Sequence, residues 1–501
     1  MKWLEPHSRV LWALLLGIVL WRLASLGLYP LMDTTEARYA EIARKMVEKG
    51  DWITPWYEPN KPFWGKPPLS FWLTAVSFHI FGINEWAARL PHLLAALTVG
   101  WLTWRLARRR SEYEALVSAV LLASSTLFFV AAGAVMTDMT LAVATTLAMR
   151  SFWICVSGND AEKQWQRWLF FLAVGIGLLA KGPIAAVLIF APVLLWTLHT
   201  GHVRHVWTTL PWAGGMLLAL GIAAPWYYLA ETATPGFLRY FLLGEHWQRF
   251  VTPGWQGDRY GTAHISPWGT IWWYAVVASL PWSLLAPVVA YQSWIARRSS
   301  DHENVRERRW RRYLLWWAVT PCLFFTLAGN ILWTYVLPGL PALAIWAARY
   351  VVPRLPKRLR MHTWTLAMAT AAPITFAAYV AYGQIGERFQ LNSAKALVQE
   401  YQAIRGDRSP LLTYGFKSYS LTFYSGGAAQ EVKELFQLTQ YFGSKPVFLV
   451  AEEEVLARLR QNLKQDLPTL ARYDRYWLVK IDPVGSSMET KRSGHEVEKV
   501  P

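Results

Sequence analysis

Apolar runs of membrane-spanning length, separated by short basic and aromatic clusters, fill the chain as far as about Gln384. The first, 10–28, follows Lys2 and Arg9, is longer than the core of a cleaved signal peptide and has no small-x-small site behind it, so a retained signal-anchor helix is expected. Further runs at 86–104, 115–134, 139–156, 168–180, 184–198, 207–229, 268–295, 313–327, 333–348 and 363–382 predict about eleven spans in all. The stretch 68–81 is apolar on most sides but short and closed by Gly82, which suits a helix lying in the membrane interface.

Basic residues orient these runs. Arg105, Arg108, Arg109 and Arg110, then Arg297, Arg298, Arg306, Arg308, Arg309, Arg311 and Arg312, then Arg349, Arg354, Lys357, Arg358 and Arg360 fall at alternate span ends, where the positive-inside rule places the inner face. The N-terminus is then inside, and the polar segments 30–85 and 230–267 are outside. Beyond 384 the pattern shortens into a small α/β domain outside the membrane. It predicts helices at 394–404, 431–441 and 453–463, strands at 411–414, 420–424, 446–450 and 476–481, and a polar, disordered tail over 484–501.

Composition sharpens the class. With 54% hydrophobic and only 17% charged residues, and 31 Trp in 501 positions, the bilayer is the default solvent, and a polytopic α-helical membrane protein is expected. The net charge of +17 resides in the span-end clusters, so nucleic acid is set aside as a partner. Cys155 and Cys322 lie within apolar runs and imply no disulfide framework.

Candidate chemistry concentrates in the outer segments, beginning with Asp33-Thr34-Thr35-Glu36-Ala37-Arg38. Asp33 and Glu36 read as a capping box, with Asp33 accepting from first-turn amides and Glu36 folding back, or as a carboxylate that takes a proton from an attacking hydroxyl. Lys66, before Pro67-Pro68, is a cation at a helix mouth, which either wants an anion or snorkels to the interface; Arg38 adds charge nearby. Asp138 is a lone acid where two runs meet, a functional group or a turn cap, and Lys181 reads first as a snorkelling boundary lysine. Glu245, His246 and Arg249 leave open phosphate clamping, proton transfer or, more weakly, a metal pair; Tyr335 alone is an aromatic-belt residue.

Taken in order, the Asp33–Arg44 block, Gly50-Asp51-Trp52, Lys66-Pro67-Pro68-Leu69, the Asp138 segment, Leu179-Ala180-Lys181-Gly182-Pro183, Glu245-His246 and Tyr335-Val336-Leu337-Pro338 resemble bacterial lipid-linked-sugar glycosyltransferases of the GT-C fold. Within that class the chain is most similar to the aminoarabinose transferases that modify lipid A, and more distantly to protein O-mannosyltransferases. The resemblance implies an inverting transfer of a sugar from polyprenyl (undecaprenyl) phosphate to lipid A or another envelope glycan at the periplasmic face of the bacterial inner membrane. It implies a transmembrane catalytic domain over 1–384 and a periplasmic α/β domain over 385–483. Asp33, Glu36 and Asp138 take the acidic roles in this reading, and Arg38, Lys66, Arg249 and Tyr335 contact the donor phosphate, with Lys181, Glu245 and His246 in support. No cofactor is required, and a divalent metal is left open. The chain departs from the aminoarabinose transferases at Thr35, where they carry an acid beside the glutamate, and at Asn330-Ile331-Leu332-Trp333, where they carry a lysine shortly before the tyrosine.

Two other classes also fit a polytopic chain with charged sites: a lipid or glycan transporter, and a noncatalytic membrane assembly subunit. The charges gather near one outer face rather than at mid-membrane, and no inverted repeat is visible, which favours the transferase.

Overall fold

The computed structural model describes residues 5–482 apart from 59, 159, 262–264, 288–290, 292–303, 352, 354–361, 386–387, 406–408, 442–445 and 464–466. Arg297, Arg298, Arg354, Lys357, Arg358, Arg360, part of the expected span 268–295 and the expected disordered tail lie outside the described residues. The chain divides into two compact units, one of Met1–Leu28 and Ile42–Ala378, the other of Tyr29–Glu41 and Tyr379–Pro501.

The first unit is helical. Among the described residues, five helices in the chain are long and apolar enough to cross a membrane: Ser8–Ser25, Asp138–Ser157, Pro183–Thr200, Trp212–Ala233 and Leu366–Ile385. Helices Glu85–Ala107, Asp160–Lys181 and Val305–Thr326 are of similar length but carry charged ends. The helix Asp138–Ser157 is buried on nearly every face, with Met139, Ala142, Ala144, Ala148, Met149 and Phe152 fully enclosed. A helix apolar all round belongs at the centre of such a bundle. Its neighbour Asp160–Lys181 follows a turn at Gly158 and packs back against it, so the start of one helix and the end of the other share one end of the hairpin.

Among the described residues four expected spans are broken: 268–295 gives the helix Thr270–Ala278 and the 3₁₀ segment Trp282–Leu285, and three others break for a local reason. The run 115–134 forms two helices, Glu112–Ala123 and Thr126–Ala131. At the break, Ser124 and Ser125 turn their hydroxyls onto the carbonyls of Val120 and Leu122, the back-bonding that interrupts helices. The run 207–229 becomes Val203–Thr209 and Trp212–Ala233, divided at Pro211, which has no N–H to continue the first helix. The run 333–348 opens as a 3₁₀ segment, Trp333–Gly339, containing Pro338, before the α-helix Leu340–Trp346. The short stretch before Gly82 is a single helix, Leu69–Phe81.

Two short strands of the first unit, β1 Trp56–Glu58 and β2 Lys61–Pro62, pair antiparallel. The second unit contains β3 Leu411–Tyr414, β4 Ala429–Val432, β5 Val447–Glu452, β6 Thr469–Tyr473 and β7 Tyr476–Ile481, a mixed five-stranded sheet in the order β4-β3-β5-β7-β6. β3 runs parallel to β4 and β5, and β7 runs antiparallel to β5 and β6. Alternation along the strands divides the core: Leu411, Phe448, Val450 and Leu478 pack on one face with Leu397 and Tyr401, while Leu412, Leu449, Ala451 and Val479 pack on the other with Leu456 and Leu459. Helices Lys395–Ile404 and Glu453–Leu463 match expectation.

Two expectations fail here. The stretch 420–424 is a helix, Tyr419–Tyr424, because Ser418 accepts from the Leu421 N–H as its N-cap. The stretch 431–441 is not one helix but the strand β4 followed by the 3₁₀ segment Leu435–Tyr441, since Gln430 to Val432 pair with β3. Strand β6 had no sequence counterpart; its pairing with β7 orders it.

Candidate active site

The hairpin that begins at Asp138 and ends at Lys181 joins two charges separated by 43 residues. Asp138 opens its helix and Lys181 closes the next, so each charge opposes the helix dipole at its own end. Lys181 Nζ donates to Asp138 Oδ1 across 2.6 Å, and both residues are only 8% exposed. The snorkelling expected of Lys181 is therefore replaced by a buried ion pair. Its ammonium also lies 4.8 Å from the centre of the Tyr335 ring, which stacks on Phe325 at 4.3 Å instead of standing in an aromatic belt.

Gly182 explains the turn that follows. It has φ +80°, and a Cβ there would stand 2.6 Å from Phe241 and 3.2 Å from His246, so only glycine admits that packing before Pro183 starts the next helix.

The anion that Lys66 was expected to seek is an internal one. Lys66 Nζ donates to Gly65 O at 2.7 Å and to Glu245 Oε1, while Arg249 Nη1 donates to Glu245 Oε1 and Oε2 at 2.9 and 3.1 Å. Burial alone would push the Glu245 carboxyl up, but the Lys66 ammonium and the Arg249 guanidinium outweigh it and hold the group below the usual carboxylate range. Arg249 also meets Asp258 at 3.3 Å, a residue that sequence reading missed because it lies in a polar loop with no distinguishing spacing. Arg249 Nε is buried and takes no partner among the described residues.

Glu245 and His246 sit on a π-helical segment, Tyr240–Gln248, a local widening often associated with functional sites. His246 Nδ1 lies 2.8 Å from the Phe241 carbonyl and Nε2 lies 3.3 Å from the Lys181 carbonyl. Burial lowers its pKa from the ordinary imidazole value. With both ring nitrogens facing carbonyls and both Glu245 oxygens facing cations, the adjacent pair does not converge as metal ligands. Among the described residues no three His, Cys, Asp or Glu side chains gather as a ligand set.

Lys66, Asp138, Lys181, Glu245, His246, Arg249 and Tyr335 all line one cavity of about 440 Å³ in the first unit, whose remaining wall is largely apolar, including Ile184, Val187, Leu188, Leu242 and Phe324. Its volume is in the range of small-molecule sites. A cationic end and an apolar wall together suit an anion carried on a hydrocarbon chain.

Asp33, Glu36 and Arg38 belong to the second unit. Asp33 does not cap the helix Thr35–Lys49 that follows it. Its Oδ2 accepts from Ser418 Oγ, Ser420 Oγ and Tyr473 OH, each at 2.7 Å, and its Oδ1 accepts from the N–H groups of Tyr419 and Ser420 at 3.1 and 2.9 Å. The expected first-turn amides are thus those of the helix Tyr419–Tyr424, and partners 385 to 440 residues away left no trace in local spacing. Glu36 does fold back, accepting from the Met32 N–H at 3.1 Å. Arg38 lies over the rings of Tyr39 and Tyr419 at 5.4 and 5.6 Å.

Residues 65–229 match the family described as dolichyl-phosphate-mannose-protein mannosyltransferase. An undecaprenyl phosphate-alpha-4-amino-4-deoxy-L-arabinose arabinosyl transferase of Enterobacter sp. (strain 638) is 32% identical over 361 residues, covering 70% of this chain and 61% of its own length. The transferase of the same name from Pseudomonas aeruginosa is 30% identical over 69% of this chain and 60% of its own. The chain is similar to these transferases over about 70% of its length. It spans 61% of the length of the Enterobacter relative and 57% of that of a transferase of the same name from Erwinia tasmaniensis. The crystal structure of ArnT from Cupriavidus metallidurans bound to undecaprenyl phosphate shares its fold, with a TM-score of 0.73 over 93% of this chain and 97% of that one at 22% identity. The chain is accordingly a multi-pass helical membrane protein with a C-terminal mixed β-sheet domain. Its family-matched segment holds Lys66, Asp138 and Lys181, whereas Glu245, Arg249 and Tyr335 lie beyond it.

Proposed function

We propose that this protein transfers 4-amino-4-deoxy-arabinose from undecaprenyl phosphate to lipid A at the periplasmic face of the bacterial inner membrane. The observation that carries the reading is the cavity in which Lys66, Arg249 and Lys181 face an apolar wall, with a buried Arg249 Nε still lacking an acceptor. The names of its relatives supply the sugar and its carrier. The reading takes the chain to cross the membrane about eleven times with its N-terminus inside. Residues 1–384 then form the transmembrane catalytic domain, with 385–483 as a periplasmic domain.

The chemistry asks little of the protein, because a glycosyl phosphate already carries a good leaving group. The acceptor oxygen attacks the anomeric carbon from the face opposite the phosphate, in a single inverting displacement. The bond from that carbon to the phosphate oxygen breaks, its electron pair stays on the phosphate, and any proton on the acceptor oxygen passes to a carboxylate. Lys66 and the Nε edge of Arg249 hold the negative charge gathering on the departing lipid phosphate. Asp138 is the cavity carboxylate suited to take the proton: Lys181 holds its Oδ1, and among the described residues Oδ2 accepts from none. Glu36, which the resemblance places among the acids, is the alternative base. Asp33 is a positioning residue, its oxygens committed to five donors.

The test is reconstitution in lipid nanodiscs with undecaprenyl-phosphate aminoarabinose and lipid A, reading the mass added to lipid A. Addition of one aminopentose, abolished in Asp138→Asn and retained in Glu36→Gln, supports the assignment; the reverse pattern moves the base to Glu36. A parent protein that adds nothing, beside an active Enterobacter relative, overturns the function.

A further inference from the structure

Asn330 stands in the wall of the same cavity, 6% exposed. Its backbone is fixed: the Gly329 N–H donates to the Phe250 carbonyl at 2.7 Å, and a Cβ on Gly329 would stand 2.8 Å from Pro253 N. Its amide is oriented too, because Nδ2 donates to the Arg249 carbonyl at 2.8 Å, which leaves Oδ1 as the other end. That oxygen is buried and accepts from none of the described residues.

The remaining polar groups of the cavity are of a different kind. Lys66, Lys181 and Arg249 offer only donors, the Glu245 carboxylate is taken up by two of them, and Asp138, held at Oδ1 by Lys181, keeps Oδ2 for the proton of the acceptor. A lipid phosphate brings acceptors and matches those donors. A sugar brings O–H and N–H donors, and needs an acceptor in turn.

Resting on the proposed function, we infer that Asn330 is a specificity-determining residue for the donor sugar, its Oδ1 accepting a hydrogen bond from the 4-amino group of the sugar carried on the lipid phosphate, or from the hydroxyl that stands there in arabinose. A site built around a buried acceptor discriminates strongly against a ligand that leaves it unpaired. The same acceptor contributes nothing to a lipid phosphate without a sugar.

Full-length protein in nanodiscs is titrated with undecaprenyl-phosphate aminoarabinose, with undecaprenyl-phosphate arabinose and with bare undecaprenyl phosphate. Asn330→Leu is expected to weaken binding of both glycosylated lipids by about tenfold or more while changing bare undecaprenyl phosphate by less than about twofold. Equal weakening of all three lipids, or no change in any, overturns the inference. Asn330→Asp gives an independent reading that does not depend on the leucine variant folding: a carboxylate in place of the amide raises the preference for the amino sugar over arabinose by about tenfold. An unchanged preference overturns the inference as well. A parent that binds none of the lipids overturns the proposed function itself, and the inference with it.

Discussion

Asp138 and Lys181 form a buried ion pair 2.6 Å long at the shared end of two consecutive antiparallel helices, the first residue of one against the last of the other. Removing one partner strands the other in a poorly solvated place. Lys181→Met is expected to cost about 3–5 kcal/mol of stability, whereas the double variant Asp138→Leu/Lys181→Met recovers most of it by replacing both charges with apolar groups. Thermal unfolding in detergent reads the stability, and the transfer assay separates it from function: the double variant folds but transfers nothing. A double variant that still transfers at the parental rate would remove Asp138 from the mechanism.

Lys66 and Arg249 are occupied by Glu245, so an arriving phosphate competes with an internal carboxylate for the same two cations. Lys66→Ala is expected to slow transfer by about 10²–10³, as for loss of one preorganised donor to a developing anion. Glu245→Gln moves the other way on binding. With the internal anion neutralised, bare undecaprenyl phosphate binds more tightly, by about tenfold where the freed charge is worth about 1.4 kcal/mol. Weaker binding by the glutamine variant would show that Glu245 organises the cations rather than competing for them.

Local signals in the chain were enough to single out the charged residues that line the cavity. An acid between two apolar runs, a lysine before Pro67-Pro68 and a Glu-His-x-x-Arg cluster are each anomalous in a membrane-like sequence. The pairing between them was not legible, since Lys66 meets Glu245 across 179 residues and Asp138 meets Lys181 through a hairpin whose register no short window contains. The same limit explains the helix Tyr419–Tyr424, whose Tyr, Thr and Phe favour a strand until the Ser418 cap and the Asp33 carboxylate at its first amides fix it as a helix. Asn330 carried no signal of its own in the sequence; that its amide oxygen takes no donor among the described residues is a tertiary property.

Acidification is expected to destabilise the protein in two stages. His246 is buried with its pKa lowered, so the unfolded chain binds its proton first; stability falls as pH drops below about 6.5 and levels once the folded group is also protonated. Glu245 has a lowered carboxyl, so its contribution is present above the unfolded value of about 4.3 and is lost as pH falls further through the folded one. Melting curves from about pH 8 to about pH 2 check the sign. His246→Gln should flatten the upper stage and leave the lower one; an upper stage that persists in that variant must come from another group.

Asp33 provides the sharpest division between a structural acid and a base. Its two oxygens accept from Ser418, Ser420, Tyr419 and Tyr473, which ties the segment before the helix Thr35–Lys49 to the start of the helix Tyr419–Tyr424 and the end of β6. Hydrogen bonds to a charged group contribute about 1.5–3 kcal/mol each, and the buried hydroxyls left behind add a penalty of their own. Asp33→Ala should therefore loosen this part of the second unit, seen as faster amide exchange over Tyr419–Tyr424 and β6. Tyr473→Phe, which removes one of the five donors, should reproduce a fraction of that loosening and a matching fraction of any loss in transfer. A base obeys neither rule: its replacement abolishes transfer with exchange unchanged, and Tyr473→Phe has little effect. Proportional losses in exchange protection and transfer across Asp33→Ala, Tyr473→Phe and Ser420→Ala would thus fix Asp33 as a positioning residue, and an Asp33→Ala variant with parental exchange and no transfer would restore it as the base.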